Sequence, residues 1–263
     1  MAKKKIGWFG LGKLGMPCAE TIADKGYSVT GYDVAECSSE TVLVVQSPRQ
    51  AVVGMDFVFV AVQTPHDPLY GGEKPITHLE NKDFGLDSVK DVLKEIDKHA
   101  NENTIVVLIS TVLPGTTRRE FAHLITRARF IYNPYLIAMG SVKWDMVNPD
   151  MVIIGGEKPD DTDAKTLIKF YKTIMENNPH YNIGTWEEAE ATKIFYNTFI
   201  SARLSLVNMI QDVAQRTGNM NVDVVTNSLS NAGKRITSAA YMKAGMGDGG
   251  PCHPRDNIAL RWL

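Results

Sequence analysis

Short, densely apolar runs alternate with amphipathic segments over the first two thirds of the chain. Lys5–Phe9, Ser28–Tyr32 and Met151–Ile154 have strand-like composition, and Phe57–Val62 and Thr104–Ile109 are almost continuously apolar. Runs of that kind suit strands buried on both faces. Between them, Leu14–Lys25 and Leu86–Ala100 space their apolar residues at helical intervals. The alternation predicts an α/β fold, a Rossmann-type doubly wound parallel sheet with helices on both sides. Thr64–Gly85 is rich in Pro and Gly and long for a connection, which marks it as functional or poorly ordered.

After Ile183 the pattern changes. Thr185 and Glu188 have capping-box spacing, and Gly218 is a helix stop. The roughly 32 residues between them hold neither Gly nor Pro, so a single helix of roughly 48 Å is expected. Such an element packs along the sheet domain, a second subunit, or both. The expected division is a cofactor domain over 1–184 and an all-helical domain over 185–263, built on this long central helix and used for substrate binding and dimerisation.

Composition narrows the function classes. The 263 residues are 44% hydrophobic and 22% charged with a net charge of -2, which gives no basic footprint for nucleic acid. Lys3–Lys5 reads as a solvated tip before the first strand. No apolar run reaches a membrane span, and the start lacks a signal-peptide core. Cys18, Cys37 and Cys252 form neither a disulfide framework nor a zinc set, so no metal is expected. Cys18 reads as helix packing and Cys37 as a loop residue. A reduced, cytoplasmic setting follows as the expectation.

Three groups of residues carry candidate chemistry. Gly10-Leu11-Gly12-Lys13-Leu14-Gly15 follows a strand and opens a helix, and Asp33 ends the next strand. That context fits dinucleotide binding: Gly10 for the tight turn, Gly12 for approach to the pyrophosphate, Gly15 for helix–strand packing. Asp33 would accept from the adenosine ribose and repel a 2′-phosphate, and Val34-Ala35-Glu36 offers no arginine, so NAD is expected over NADP. The second group is Gly249-Gly250-Pro251-Cys252-His253-Pro254-Arg255-Asp256. A thiol between a glycine turn and a helix start is placed for nucleophilic chemistry, because a helix N-terminus favours thiolate. A buried, inert cysteine remains the other reading. Asp256 or Asn257 is expected to cap the following helix. The third is Lys193 and Asn197, one helical turn apart, able to hold a developing alkoxide or to be ordinary helix surface.

Together GLGKLGMP, VAVQTP, STVLPGTT, YNP, NPDMVIIGG, EAEATKIFYNTFISARLSLVN and GGPCHPRDNIAL resemble, in order and over nearly the whole chain, the UDP-glucose/GDP-mannose dehydrogenase family. The resemblance implies two NAD-dependent oxidations of a sugar C6 alcohol through an aldehyde and a cysteine thioester, as used in nucleotide-sugar metabolism and polysaccharide biosynthesis. It makes Cys252 the nucleophile, Lys193 the oxyanion-stabilising amine and Asn197 its helper. Asp256 would assist proton handling, and Thr111 would contact water or cofactor near the reacting carbon. Val62, Gln63, Thr64, Pro65, Ser110, Thr111, Val112 and Arg255 would line the cofactor. Tyr135, Arg235 and Gly249 would join Lys193, Asn197 and Cys252 around the substrate.

Departures from the family pattern qualify this. Tyr135 and Met139 stand where carboxylates are usual, and the connection after Asp33 is abbreviated. Pro251, His253 and Arg255 replace Ser, Phe and Lys, and the Arg235–Cys252 stretch is one residue longer. The chain ends where the family continues toward a C-terminal UDP-binding domain, so a short form is expected, a homodimer, with a separate chain as one source of that domain. Two other readings stay open: a β-hydroxyacid or 6-phosphogluconate-type dehydrogenase, and a catalytically impaired NAD-binding subunit.

Overall fold

The protein is described from a computed structural model over residues 3–71, 77–245 and 252–260. It divides into two compact units, Met1–Tyr196 and Asn197–Leu263. The division by contacts falls inside the long helix.

The first unit is an eight-stranded sheet. Its strands are β1 (Lys5–Phe9), β2 (Ser28–Tyr32), β3 (Leu43–Val44), β4 (Phe57–Val60), β5 (Ile105–Leu108), β6 (Arg129–Tyr132), β7 (Met151–Gly156) and β8 (His180–Thr185). In space they run β3-β2-β1-β4-β5-β6-β7-β8. The helices are α1 (Gly15–Asp24), α2 (Asp87–His99), α3 (Val142–Val147) and α4 (Thr162–Tyr171). The β-branched and aromatic runs become the central strands, buried on both faces. On one face Ile6, Trp8, Phe57, Phe59 and Val107 pack with Cys18 and Ile22 of α1 and Phe170 of α4. On the other, Phe9, Val58, Val60, Val106 and Leu108 meet Val89, Leu93 and Ile96 of α2. Trp8 stacks on Phe59 at 5.0 Å, so the largest core side chains lock the two strands that flank the crossover. Each such buried side chain contributes about 1.5–3 kcal/mol.

The expected parallel sheet is realised with one exception. β6 and β7 pair antiparallel, through Tyr132 and Gly155. The connection between them, residues 133–150, carries only the six-residue α3. β2 reaches β3 without an intervening helix, matching the short connection read from the sequence.

α5 (Trp186–Thr217) begins in the first unit and continues into the second, which also holds α6 (Val222–Ser230) and α7 (Cys252–Leu260). The Thr185 N–H donates to Glu188 Oε2 at 2.8 Å and the Glu188 N–H to Thr185 Oγ1 at 3.3 Å, which is the capping box. Gly218, at φ +67°, ends the helix. α7 departs from expectation: it begins at Cys252, so Asp256 and Asn257 lie inside it instead of capping it. Pro254 is compatible because first-turn N–H groups have no intrahelical partner.

Candidate functional site

Strand order reverses between β2-β1 and β1-β4, and the glycine turn sits at the carboxyl end of β1, at that switch point. Sheets of this kind bind ligands in such crevices. Gly10 is left-handed at φ +87°, and a Cβ there would lie 2.6 Å from the Ala61 carbonyl oxygen. A Cβ on Gly15 would fall 1.8 Å from the Gly10 oxygen, whereas one on Gly12 would meet nothing within 4 Å. So Gly10 and Gly15 are demanded by the fold, and Gly12 faces open space where a ligand would stand. The Trp8 Nε1–H pins the turn by donating to the Gly10 oxygen at 3.1 Å. No side chain caps α1 and its first turn holds no acid, which leaves its N-terminal amides to an anion. Leu11 is buried, Leu14 is half-buried, and Lys13 is exposed on the turn.

Asp33 lies beside this turn. Its Oδ2 accepts the Leu11 N–H at 2.6 Å and its Oδ1 the Ala35 N–H at 2.8 Å, so the carboxylate is fixed with lone pairs to spare. Val34 beyond it is 92% exposed, and no cation stands in 34–36. A dinucleotide with a free ribose 2′-hydroxyl fits these groups better than one with a 2′-phosphate.

The far wall is made by the loops after β4 and β5. The Ser110 hydroxyl donates to the Val62 carbonyl at 2.6 Å, and the Thr64 hydroxyl to the Thr111 carbonyl at 2.7 Å. Val112 is buried beneath them, and Gln63 and Pro65 are exposed. The structure thus gathers Gly10–Gly15, Asp33, Val62–Pro65 and Ser110–Val112 at the carboxyl ends of β1, β2, β4 and β5.

Lys193 is half-buried on α5, and its Nζ donates to the Tyr135 carbonyl at 2.7 Å. Burial pushes its pKa below the usual lysine value. It has no ion-pair partner among the described residues. The phenol of Tyr135 runs the other way, inward, and bonds Tyr171 OH at 3.0 Å. Tyr171 in turn bonds Asn133, whose Nδ2–H donates to the Ile153 carbonyl at 2.6 Å. What residue 135 offers Lys193 is therefore its carbonyl, held by a buried polar chain that reaches β7. Met139, at the second position lacking a carboxylate, is exposed. The single acid in 135–148 is Asp145, occupied by the Ala138 N–H at 2.8 Å and the Ser141 hydroxyl at 2.7 Å.

In the second unit Asn197 is exposed on α5, and Arg235 is exposed in a turn after α6. Cys252 is exposed at the first residue of α7. Asp256 pairs with Arg255 at 2.8 Å, both well exposed. His253 sets its ring against Tyr241 at 6.5 Å. Gly249 lies outside the described residues. Cys18 is buried, its thiol pushed up to about 12 by desolvation. Among the described residues no His, Cys, Asp and Glu cluster could hold a metal ion.

Sequence reasoning missed Glu190. It is fully buried on α5, and it accepts backbone N–H groups from Gly115 and Thr117. Its position was a signal: it shares a helix stripe with buried Trp186 and Ala189, where a carboxylate is out of place.

Comparisons with known proteins identify the family. Residues 34–175 match the NAD binding domain of the UDP-glucose/GDP-mannose dehydrogenase family, and residues 187–263 match that family's central domain. The first match begins after the glycine turn, so the turn's assignment rests on its own geometry. A UDP-glucose 6-dehydrogenase of Caenorhabditis elegans is 29% identical over 225 residues, covering 81% of this chain and 44% of that protein. One of Bacillus subtilis is 30% identical over 221 residues, covering 81% and 46%. The chain thus spans less than half the length of these curated relatives. In three dimensions it resembles a GDP-mannose dehydrogenase of Pseudomonas aeruginosa, with TM-score 0.83, 24% identity, and coverage of 98% of this chain and 64% of that one. With the family's NAD binding domain matched and the crevice fitting it, the cofactor is NAD.

Proposed function

The chain belongs to the UDP-glucose/GDP-mannose dehydrogenase family, and from that premise we propose that it oxidises a nucleotide sugar, UDP-glucose first among candidates, at its C6 alcohol. Bound NAD supplies the hydride acceptor for each of two oxidations. The glycine turn and α1 would hold the pyrophosphate, Asp33 the adenosine ribose, and Val62–Pro65 with Ser110–Val112 the far wall. Lys193 and Asn197 would hold the reacting oxygen as it gains negative charge. Thr111 would contact water or cofactor near the reacting carbon. The Cys252 thiolate would add to the aldehyde carbon, giving a thiohemiacetal and, after the second hydride leaves, a thioester. Water would then break the C–S bond, releasing the carboxylate and restoring the thiol. Asp256 would serve proton handling, Arg255 the cofactor, and Tyr135, Arg235 and Gly249 the substrate.

The observation that carries this reading is Lys193: a half-buried amine with no counter-charge among the described residues, anchored by a neutral carbonyl. A cation poor in counter-charge favours a developing alkoxide. A homodimer is part of the proposal, with a separate chain as one source of the nucleotide-binding domain. No described helix is long and apolar enough to cross a membrane.

Tyr135 and Met139 leave hydrolysis short of a base, and general-base help is worth about 10²–10⁴-fold. Mixing the protein with NAD and UDP-glucose should give a burst of about two NADH per chain and then slow turnover. Intact-mass spectrometry should find an acyl adduct that Cys252→Ala abolishes. Steady NADH formation without an adduct would overturn the slow-hydrolysis step. Absence of NADH with every nucleotide sugar would overturn the substrate assignment.

A further inference from the structure

The buried Glu190 carboxylate has a defined task in the geometry. Its Oε2 accepts the Gly115 N–H at 2.5 Å and its Oε1 the Thr117 N–H at 2.6 Å. Both donors come from the segment after β5, more than seventy residues away in sequence. Thr117 opens the single helical turn Thr117–Phe121, whose first amides lack intrahelical acceptors. An apolar side chain is usually cheaper to bury than a carboxylate, so retention of the charge calls for a cause. The start of the same segment is already tied: the Ser110 hydroxyl bonds the Val62 carbonyl, and the Thr111 carbonyl accepts the Thr64 hydroxyl. Glu190 ties its end. Three residues further along α5 stands Lys193, anchored on the Tyr135 carbonyl.

We propose that Glu190 is a positioning residue that fixes the Ser110–Thr117 segment against the α5 turn bearing Lys193, so that Thr111 and the Lys193 amine keep one register in the cofactor crevice. Glu190 touches neither cofactor nor substrate; it acts through the segment it holds. The proposal rests on the functional reading above, and its test includes measurements that need no turnover.

Glu190→Gln keeps the side-chain volume and one acceptor, but it turns an NH₂ group toward the second amide. Amide exchange, read by NMR on the NAD-free protein, should accelerate at Gly115 or Thr117 by about 10- to 100-fold, the effect of losing a hydrogen bond to a charged group. NAD affinity, titrated well below the melting temperature, should weaken by roughly tenfold, and the NADH burst should slow with it. Glu190→Asp keeps the charge on a shorter arm and should fall between parent and Gln variant; it also serves if the Gln variant does not fold. Leu93→Ala, in the α2 core, is the control: it should lower the melting temperature while NAD affinity holds. Faster amide exchange with unchanged NAD affinity would overturn the proposal, leaving Glu190 a structural tie only. So would a Leu93→Ala variant that loses NAD affinity as much as Glu190→Gln. A parent chain that forms no NADH would defeat the functional reading alone, because NAD affinity and amide exchange still decide the role of Glu190.

Discussion

Asp33 ties two backbone amides of the glycine turn's surroundings, and its selectivity for the cofactor is the proposal to test. It holds the Leu11 and Ala35 amides, and its remaining lone pairs are what a ribose hydroxyl would use. Asp33→Ala removes the amide ties for every dinucleotide, but relieves repulsion only for one carrying a 2′-phosphate. NAD affinity should therefore fall by about 10- to 100-fold, the range for a charged hydrogen bond, and NADP affinity should fall much less. Equal losses in parallel titrations would mean that the carboxylate acts through the turn and does not reach the ribose. Lys193 makes a pH argument at the same scale. Burial lowers its pKa in the folded chain from the ordinary 10.5, so between the two values the unfolded chain binds more protons. Its contribution to stability is thus complete above 10.5 and lost as pH falls through the lowered value. Lys193→Met removes that slope, so the urea-unfolding curves of parent and variant should shift relative to each other as pH rises from about 7 to 10.5, the parent gaining with pH. A constant offset across that range would show that the amine is not desolvated. The same charge supports the proposed oxyanion role, so NADH formation should begin to decline on the alkaline side before pH 10.5.

The β1–α1 turn shows which glycines belong to the fold and which to the ligand. Gly15→Ala forces a Cβ onto the Gly10 carbonyl and should destabilise the free protein, lowering its melting temperature. Gly12→Ala meets open space, so the free protein should melt as the parent does while NAD affinity drops by tenfold or more, since the methyl would stand where the proposal places the pyrophosphate. A Gly12→Ala chain that binds NAD normally would move the cofactor off this turn. The turn was legible because its constraints are local: glycine spacing, a preceding strand and a following helix all fall within a short window. α5 was legible for the same reason, since Thr185, Glu188 and Gly218 set its ends through neighbouring amides. Elements governed by distant partners were not. The antiparallel β6–β7 pairing is set between strands whose partners lie elsewhere in the sheet, and the start of α7 depends on Pro254 being tolerated in a first turn. Glu190 is hidden in sequence because its acceptor role exists only once α5 has packed against the segment after β5.

At the scale of the whole molecule, α5 presents an unusual amount of apolar surface. Phe195 is 65% exposed, Phe199 56%, Leu204 59% and Leu206 50%, with Ile200, Val207 and Met209 also exposed. These positions occupy more than one face of the helix, so an amphipathic stripe turned to solvent does not account for them. Exposed apolar side chains in this number on one helix point to an interface. One face alone presents Phe195, Phe199, Leu206 and Met209, and burying these half-exposed side chains twice over in a symmetric pair, at about 1.5–3 kcal/mol for a full burial, is comparable with the roughly 4–15 kcal/mol that association costs. A second copy is the natural occupant, because a two-fold pairing of α5 with itself supplies the same apolar residues from both sides. Light scattering at micromolar concentration should therefore give about twice the 29.1 kDa chain mass. The double variant Phe195→Asp with Phe199→Asp should fall to the monomer mass, and its first unit should still bind NAD, because the glycine turn and Asp33 lie on other elements. A parent protein that scatters as a monomer would defeat the dimer, and the apolar face of α5 would then need a different chain to cover it.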